Sequence, residues 1–517
     1  MAIKRYYATK DNTITNAFKS DLSSRATASN MGLADVLETF SIYGQASASS
    51  GLSSELSRIL IEFDTDAIST DRTSGTIPGS GSVSFYLRMF NAKHGQTLPR
   101  NYVLQAKAVL SSSWEEGYGL DMEDYGDSTR DAVGSNWVNA KEGTQWLNTG
   151  GDYANPENDF TSSFTQTFSS GHEDLEMDIT TLVEQWISSS ANDPTAINLG
   201  SKSNFGIGLM FSSSHESESR SFYTKKFFAR SSQFFFKRPV LEARWDSRKL
   251  DNRGNFIYSS SLATGDENLN QIWLYNYFRG QLRDIPEVGT GNIYVSFFSG
   301  SDDSSPTGPA LELVVDGTHV SAAGLNRVVT GSHHSTGIYS ASVALTAAGT
   351  PLDTIYDVWF TGGDLPTSTG ATRYHTGSIV PAMVDSSNIN PSGKFSSKIT
   401  NLKSIYSSDE KARFRVYIRN RDWQPTIYTV ANTNVETTEI DSGSYKVFRI
   451  IDELNAVPFG TGSDLHTCMS YDVSGNYFDL DMSLLEPGYM YGIKLAYYNG
   501  SVGAWLEQPE TFKFRVE

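Results

Sequence analysis

The stretch SELSRILIEFD, residues 54–64, decides the fold class. Ile59, Ile61 and Phe63 fall on one side of an extended chain, and Leu60 and Glu62 fall on the other. Apolar residues two apart mark a strand, whereas a helix would space them three and four apart. One face is fully apolar and the other partly so. SVSFYLRMFNA (82–92) repeats the pattern, with Val83, Phe85, Leu87 and Met89 on one face. Comparable strands are expected at ADVLETFSIYG (34–44), NYVLQAKAVL (101–110), FGIGLMFSS (205–213), RSFYTKKFFA (220–229) and KRPVLEARWD (237–246). Among them LEMDITTLVEQWISS (175–189) breaks the period. Asp178 is placed to cap a helix there. Ile179, Leu182, Val183, Trp186 and Ile187 then form a stripe at helical spacing.

Downstream, NIYVSFFSG (292–300), ALELVVDG (310–317), GIYSASVALT (337–346) and TIYDVWFTGG (354–363) are short strands with glycine-rich turns. After NINPSGK come ARFRVYIRNR (412–421), SYKVFRIID (444–452) and MYGIKLAYYNG (490–500). In ARFRVYIRNR, Phe414, Val416 and Ile418 point one way and Arg415, Tyr417 and Arg419 the other. The expected chain is all-β. A jelly-roll-like β-sandwich with one short helix spans 1–246, and two smaller Ig-like β-sandwiches span 254–384 and 390–517.

Composition agrees. At 517 residues the chain exceeds one ordinary core, and 12% of it is aromatic, which suits half-buried pleated surfaces. A net charge of −18 speaks against a nucleic-acid stripe. No apolar run approaches the roughly 20 residues needed to span a bilayer, so no membrane insertion is expected. The opening MAIKRYYATKDNTITNAF has basic residues but no apolar segment behind them, which predicts a chain made in a cytoplasm without a secretory signal. Cys468 is the sole cysteine, so no internal disulfide can form.

Candidate chemistry is sparse. WEEGYGLDMEDYGD (114–127) concentrates carboxylates but lacks the spacing of a calcium loop. Asp121, Glu123 and Asp124 are a minor calcium candidate, and a solvated loop is the main expectation. Trp114, Trp137 and Trp146 frame this stretch. They read as packing anchors, with an exposed glycan platform as the other reading. His333 and His334, adjacent in TGSHHSTG, would point to opposite faces of a strand, and a polar surface loop is expected. No HExxH motif, nucleophile elbow or Walker loop appears. The expectation is a non-enzyme with no cofactor and no metal. The row of Arg413, Arg415, Arg419 and Arg421 reads as a solvated face or a docking patch. In the docking reading, Arg415 and Arg419 face a neighbouring subunit and discourage wrong partners at a bare strand edge.

Several stretches resemble, in order, the DNRLRE-type or carbohydrate-module-like β-sandwiches. They are KDNTITNAF (10–18), SRILIEFD (57–64), SSWEEGYG (112–119) with NWVNAKEGTQW (136–146), MDITTLVEQWIS (177–188), NFGIGLMF (204–211) and RPVLEARW (238–245). The set is specific only as a set. The resemblance implies that the acid-rich stretch is a long surface loop. The whole chain also resembles virion structural proteins of tailed phages, marine ones in particular. That implies a non-enzymatic component of head, neck or tail, assembled in the host cytoplasm. Its partners would be other virion proteins, and it would be present as a homo-oligomer or in multiple copies. The alternative is a carbohydrate-binding adhesin recognising host-surface glycans.

Overall fold

The computed structural model describes residues 2–19, 21–43, 54–95, 98–110, 113–120, 133–155, 163–190, 202–218, 220–302, 305–314, 326–346, 352–382, 394–423, 427, 437–462 and 464–517. It is all-β with a few short helices, and it divides into two compact units. One comprises residues 2–246 with 464–466, and the other comprises residues 247–463 with 467–517.

The first unit opens with β1 (Ile3–Thr15), β2 (Val36–Tyr43), β3 (Ser54–Phe63), helix α1 (Thr65–Thr73), β4 (Ser84–Met89) and β5 (Tyr102–Ala108). A small hairpin of β6 (Asn139–Lys141) and β7 (Thr144–Gln145) follows. Then come β8 (Ser163–Phe168), β9 (Leu175–Asp178), α2 (Thr180–Ser190), β10 (Ile207–Phe211), α3 (Ser213–Glu216), β11 (Phe222–Phe228) and β12 (Val240–Arg244). The strands pair in the order β8-β5-β10-β3-β1-β12-β4-β9, with β2 joining β3 to β11.

β1 ties the two halves together. Its residues Ile3–Tyr7 pair with β12, and Ala8–Thr15 pair with β3. The switch falls at a register irregularity between Ala8 and Lys10, the position at which a bulge re-aims a strand. The sequence hides this strand. Asp11, Asn12, Thr13 and Thr15 are polar yet buried, so no apolar alternation marks it.

One apolar cluster takes side chains from both halves: Ile59, Ile61, Phe63, Leu104 and Leu209 from one, Phe85, Leu87, Met177 and Leu241 from the other. The alternation read in 54–64 is realised there. The helix stripe is realised as well: Ile179, Leu182, Val183, Trp186 and Ile187 are all fully buried in this cluster. Asp178 accepts a hydrogen bond from the Thr180 amide at 2.9 Å, as a capping carboxylate should. Helix α1 adds a second helix to the one expected. Ile68 is its buried anchor, and Arg72 forms a buried bidentate pair with Glu184 of α2 at 2.6 and 2.9 Å. With one apolar anchor it shows no stripe in the sequence.

In the second unit, strands pair in the order Asn270–Tyr275, Ile338–Leu345, Val329–Ser335, Ile293–Asp302, Ile355–Thr361, Thr372–Ile379. Farther along, Phe395–Ile399, Lys411–Asn420, Gly475–Asp481 and Ser470–Asp472 form a four-stranded sheet. A six-stranded sheet is built around Met490–Asn499 and Gly443–Arg449. Phe414, Val416 and Ile418 are buried, as their alternation requires.

Candidate functional site

The side of β3 opposite the main core also carries apolar residues, and the long excursion between β5 and β8 covers them. Leu56 and Leu60 join Ile14, Val109, Trp114, Trp137, Ala140 and Trp146 in a second cluster. All three tryptophans are buried, at 1%, 7% and 5% exposure respectively. The indole N–H of Trp114 donates to the Phe205 carbonyl, and that of Trp146 to the Asn136 carbonyl, each at 2.9 Å. A glycan platform needs an exposed ring face. Trp114, Trp137 and Trp146 have none to offer, so the platform reading is corrected to packing anchors.

The base of the acid-rich stretch is pinned at Glu116, while Glu115, Tyr118 and Leu120 stay exposed. Glu116 receives the Asp11 amide at 2.9 Å and the Arg230 guanidinium at 3.0 and 2.7 Å. Asn30 bonds to Gly119 within the stretch and to Val133 beyond it, and Asn12 bonds to Ser135 beyond it. Asp11 is itself buried, with one carboxylate oxygen on the Arg230 amide and the other without a hydrogen-bond partner among the described residues. Burial, reinforced by Glu116, pushes its carboxyl up to about 7. Asp121, Glu123 and Asp124 lie outside the described residues.

At the margin of the tryptophan layer a cleft of about 280 Å³ opens beside β3, β5 and β10. Arg58, Lys107, Asn148, Tyr153, Asn155 and Glu216 line it. Arg58 is held rigidly. It donates to both oxygens of Glu216 at 3.1 and 2.7 Å and to the Gly150 carbonyl at 2.9 Å. Its guanidinium lies 5.1 Å from the Trp137 ring centre and 5.6 Å from that of Tyr153. The Tyr153 ring rests on β10 at Gly208, where a Cβ would fall 2.1 Å from Cε1, so only glycine fits. Lys107 differs from Arg58. Among the described residues its ammonium makes no hydrogen bond or ion pair, and burial and the Arg58 charge lower its pKa against the pull of Glu216.

Arg415 and Arg419 point away from the core, but their strand is not an edge. Lys411–Asn420 pairs with Phe395–Ile399 on one side and Gly475–Asp481 on the other. Arg415 and Arg419 therefore guard no bare strand edge. Two of the four arginines in the row are paired within the chain: Arg413 with Asp479 and Arg415 with Asp472, each at 2.7 Å. His333 and His334 lie in the strand Val329–Ser335 rather than a loop. His333 meets Asp284 at 3.1 Å, while His334 stands edge-on to Trp273. Elsewhere in the second unit, Glu439 is raised to about 7 by burial and by Asp441, Asp472 and Asp251.

Two turns expose aromatics beside cations. In the first unit Phe234 and Phe235 are 43% and 46% exposed, and Arg238 sits 5.3 Å over the Phe235 ring. In the second unit, Tyr277 and Phe278 are 61% and 52% exposed on a two-residue hairpin. Arg279 and Gly280 both take positive φ, 52° and 78°, as a type I′ turn demands. Arg279 and Arg283 flank the Phe278 ring at 5.3 and 5.6 Å. Both signals stand in the sequence, FFFKR at 234–238 and YFRG at 277–280, but neither carries a periodicity or motif that marks it as exposed.

No protein-family model matches the chain, and no curated protein matches it. Among solved structures, trypsin-activated alpha-2-macroglobulin from Escherichia coli is 8% identical over 89% of this chain, with a TM-score of 0.15. The chain spans 24% of that protein's length. A DUF4785 family protein from Legionella pneumophila is 8% identical over 93% of this chain and 90% of its own, with a TM-score of 0.13. Similarity at that level carries neither fold nor function across.

Proposed function

We propose that this chain is a non-enzymatic structural protein of a phage particle, present in multiple copies and contacting other virion proteins through its β modules. The observation that supports contact is the pair of aromatic–cation turns, Phe234/Phe235 with Arg238 and Tyr277/Phe278 with Arg279 and Arg283. Aromatic residues and arginine are enriched in protein interfaces and supply most of their strong anchors. The outward face bearing Arg415 and Arg419 is a further contact surface in this reading. The particle setting rests on the resemblance of the whole chain to virion structural proteins of tailed phages. Mass spectrometry of purified particles tests it: the chain should be recovered at many copies per particle. Its absence from intact particles overturns the proposal.

A second reading, recognition of host-surface glycans, has lost its tryptophan platform. The cleft at Lys107, with its amide, tyrosine and cationic lining, supports it instead.

A further inference from the structure

Three features of the cleft beside β3, β5 and β10 bear on what it would take. First, its shape is built rather than incidental. Gly208 lets the Tyr153 ring lie on the strand, and Arg58 is locked over that ring by Glu216 and the Gly150 carbonyl. Second, its charges are unequally satisfied. Arg58 and Glu216 neutralise each other through a bidentate pair, whereas Lys107 has no carboxylate of its own among the described residues. Third, Asn148 and Asn155 add amides to the rim; the Asn148 Nδ2 already donates to Asp152 at 3.1 Å, so its carbonyl oxygen is the group offered to a hydroxyl.

A half-buried ammonium that makes no ion pair of its own, with Glu216 already committed to Arg58, is costly to leave dry. An incoming carboxylate would supply both the missing charge and a strong, charge-assisted hydrogen bond. At about 280 Å³ the cleft lies just below the usual range for drug-sized ligands, which fits one small polar ring. We infer that this cleft binds an acidic sugar, a uronate residue of a polysaccharide, with its carboxylate on Lys107 and its hydroxyls toward Asn148 and Asn155. The inference rests on the glycan reading and is independent of particle membership. The chain's net charge of −18 opposes such a ligand at long range. The Debye length at physiological salt is only about 8 Å, so the local cation governs the bound state.

The test is calorimetric titration of the full chain with a galacturonate tetrasaccharide and with its carboxyl-reduced, neutral counterpart. The acidic form should bind at least tenfold more tightly, and the difference should shrink as salt is raised. Lys107→Gln should abolish that difference, while Lys107→Arg should retain most of it. Unchanged melting curves for both variants would confirm that folding is intact. Equal affinity for the two sugars, or an acidic preference that survives Lys107→Gln, overturns the acidic-sugar assignment while leaving glycan recognition standing. No binding of either sugar overturns both.

Discussion

Glu242 and Asp11 are buried carboxylates in the same unit, at 0% and 1% exposure, and they sit in opposite electrostatic states. Glu242 on β12 meets Arg5 at 2.8 Å, Arg88 at 2.9 Å and Arg244 at 2.7 Å. Burial alone would raise its pKa, but the three guanidiniums more than offset it and hold the carboxyl well below the usual range. Asp11 on β1 has a single backbone amide from Arg230, and Glu116 nearby spends its own charge on the Arg230 side chain. Depth of burial is the same, so the supply of cationic partners decides the outcome. One carboxylate is a structural ion, and the other takes up a proton near neutrality.

The contrast can be broken most forcefully at Glu242. Glu242→Gln leaves three buried guanidiniums short of their shared anion and should cost the first unit about 3–5 kcal/mol. Because the folded carboxyl is depressed, the wild-type contribution is present above the ordinary glutamate range and is lost only as pH falls through the lower folded value. Thermal melts at neutral pH check the magnitude, and a loss under about 1 kcal/mol would mean that the cluster does not need its charge.

At Asp11 the sign reverses. A folded pKa of about 7 against an ordinary 3.8 means that Asp11 favours folding fully at acid pH and loses that contribution as pH rises through 7. Asp11→Asn keeps an acceptor for the Arg230 amide and removes the charge. It should stabilise the first unit by about 2–4 kcal/mol at pH 8 and by less than about 1 kcal/mol at pH 4. Destabilisation at both pH values would place the proton elsewhere.

Glu439 extends the comparison to the second unit. It resembles Asp11 in kind, being raised to about 7 by burial and neighbouring acids, but it is only about half buried. Solvent screening then reduces the effect, and Glu439→Gln should gain about 1 kcal/mol at pH 8 with little change at pH 4, read by denaturant titration. The weakest case is the surface pair of Arg413 and Asp479, whose side chains are 46% and 42% exposed. Arg413→Ala should change stability by less than about 1 kcal/mol. A larger loss would show that the arginine row carries structural load as well as surface charge.

Local pattern made the strands with one apolar face legible, β3 and Lys411–Asn420 among them, because side-chain alternation is written into adjacent residues. It also made α2 legible through its five-residue stripe. It could not show β1, where Asp11 and Asn12 are polar yet buried and bond to Arg230 and Ser135, far along the chain. Nor could it show that the strand bearing Arg415 lies inside its sheet, since rank within a sheet depends on non-local pairing. The cleft was illegible for the same reason: Arg58, Lys107, Tyr153 and Glu216 come from four separate segments. One signal did point there. Gly206 and Gly208 interrupt FGIGLMF, and glycine inside a strand marks a place where something approaches closely.

The divided allegiance of β1 has a consequence for biosynthesis. Residues 3–7 are made well before their partners at 240–244, which follow roughly 230 residues later. At a translation rate of about 5–20 residues per second, that separation is roughly 10–50 s. Throughout that interval residues 3–7 lack their partner strand and are open to neighbouring nascent chains and to chaperones. Closure of the first unit is therefore bound to the completion of its last strand, and a ribosome that stalls before residue 244 releases a chain whose two halves have not yet been tied.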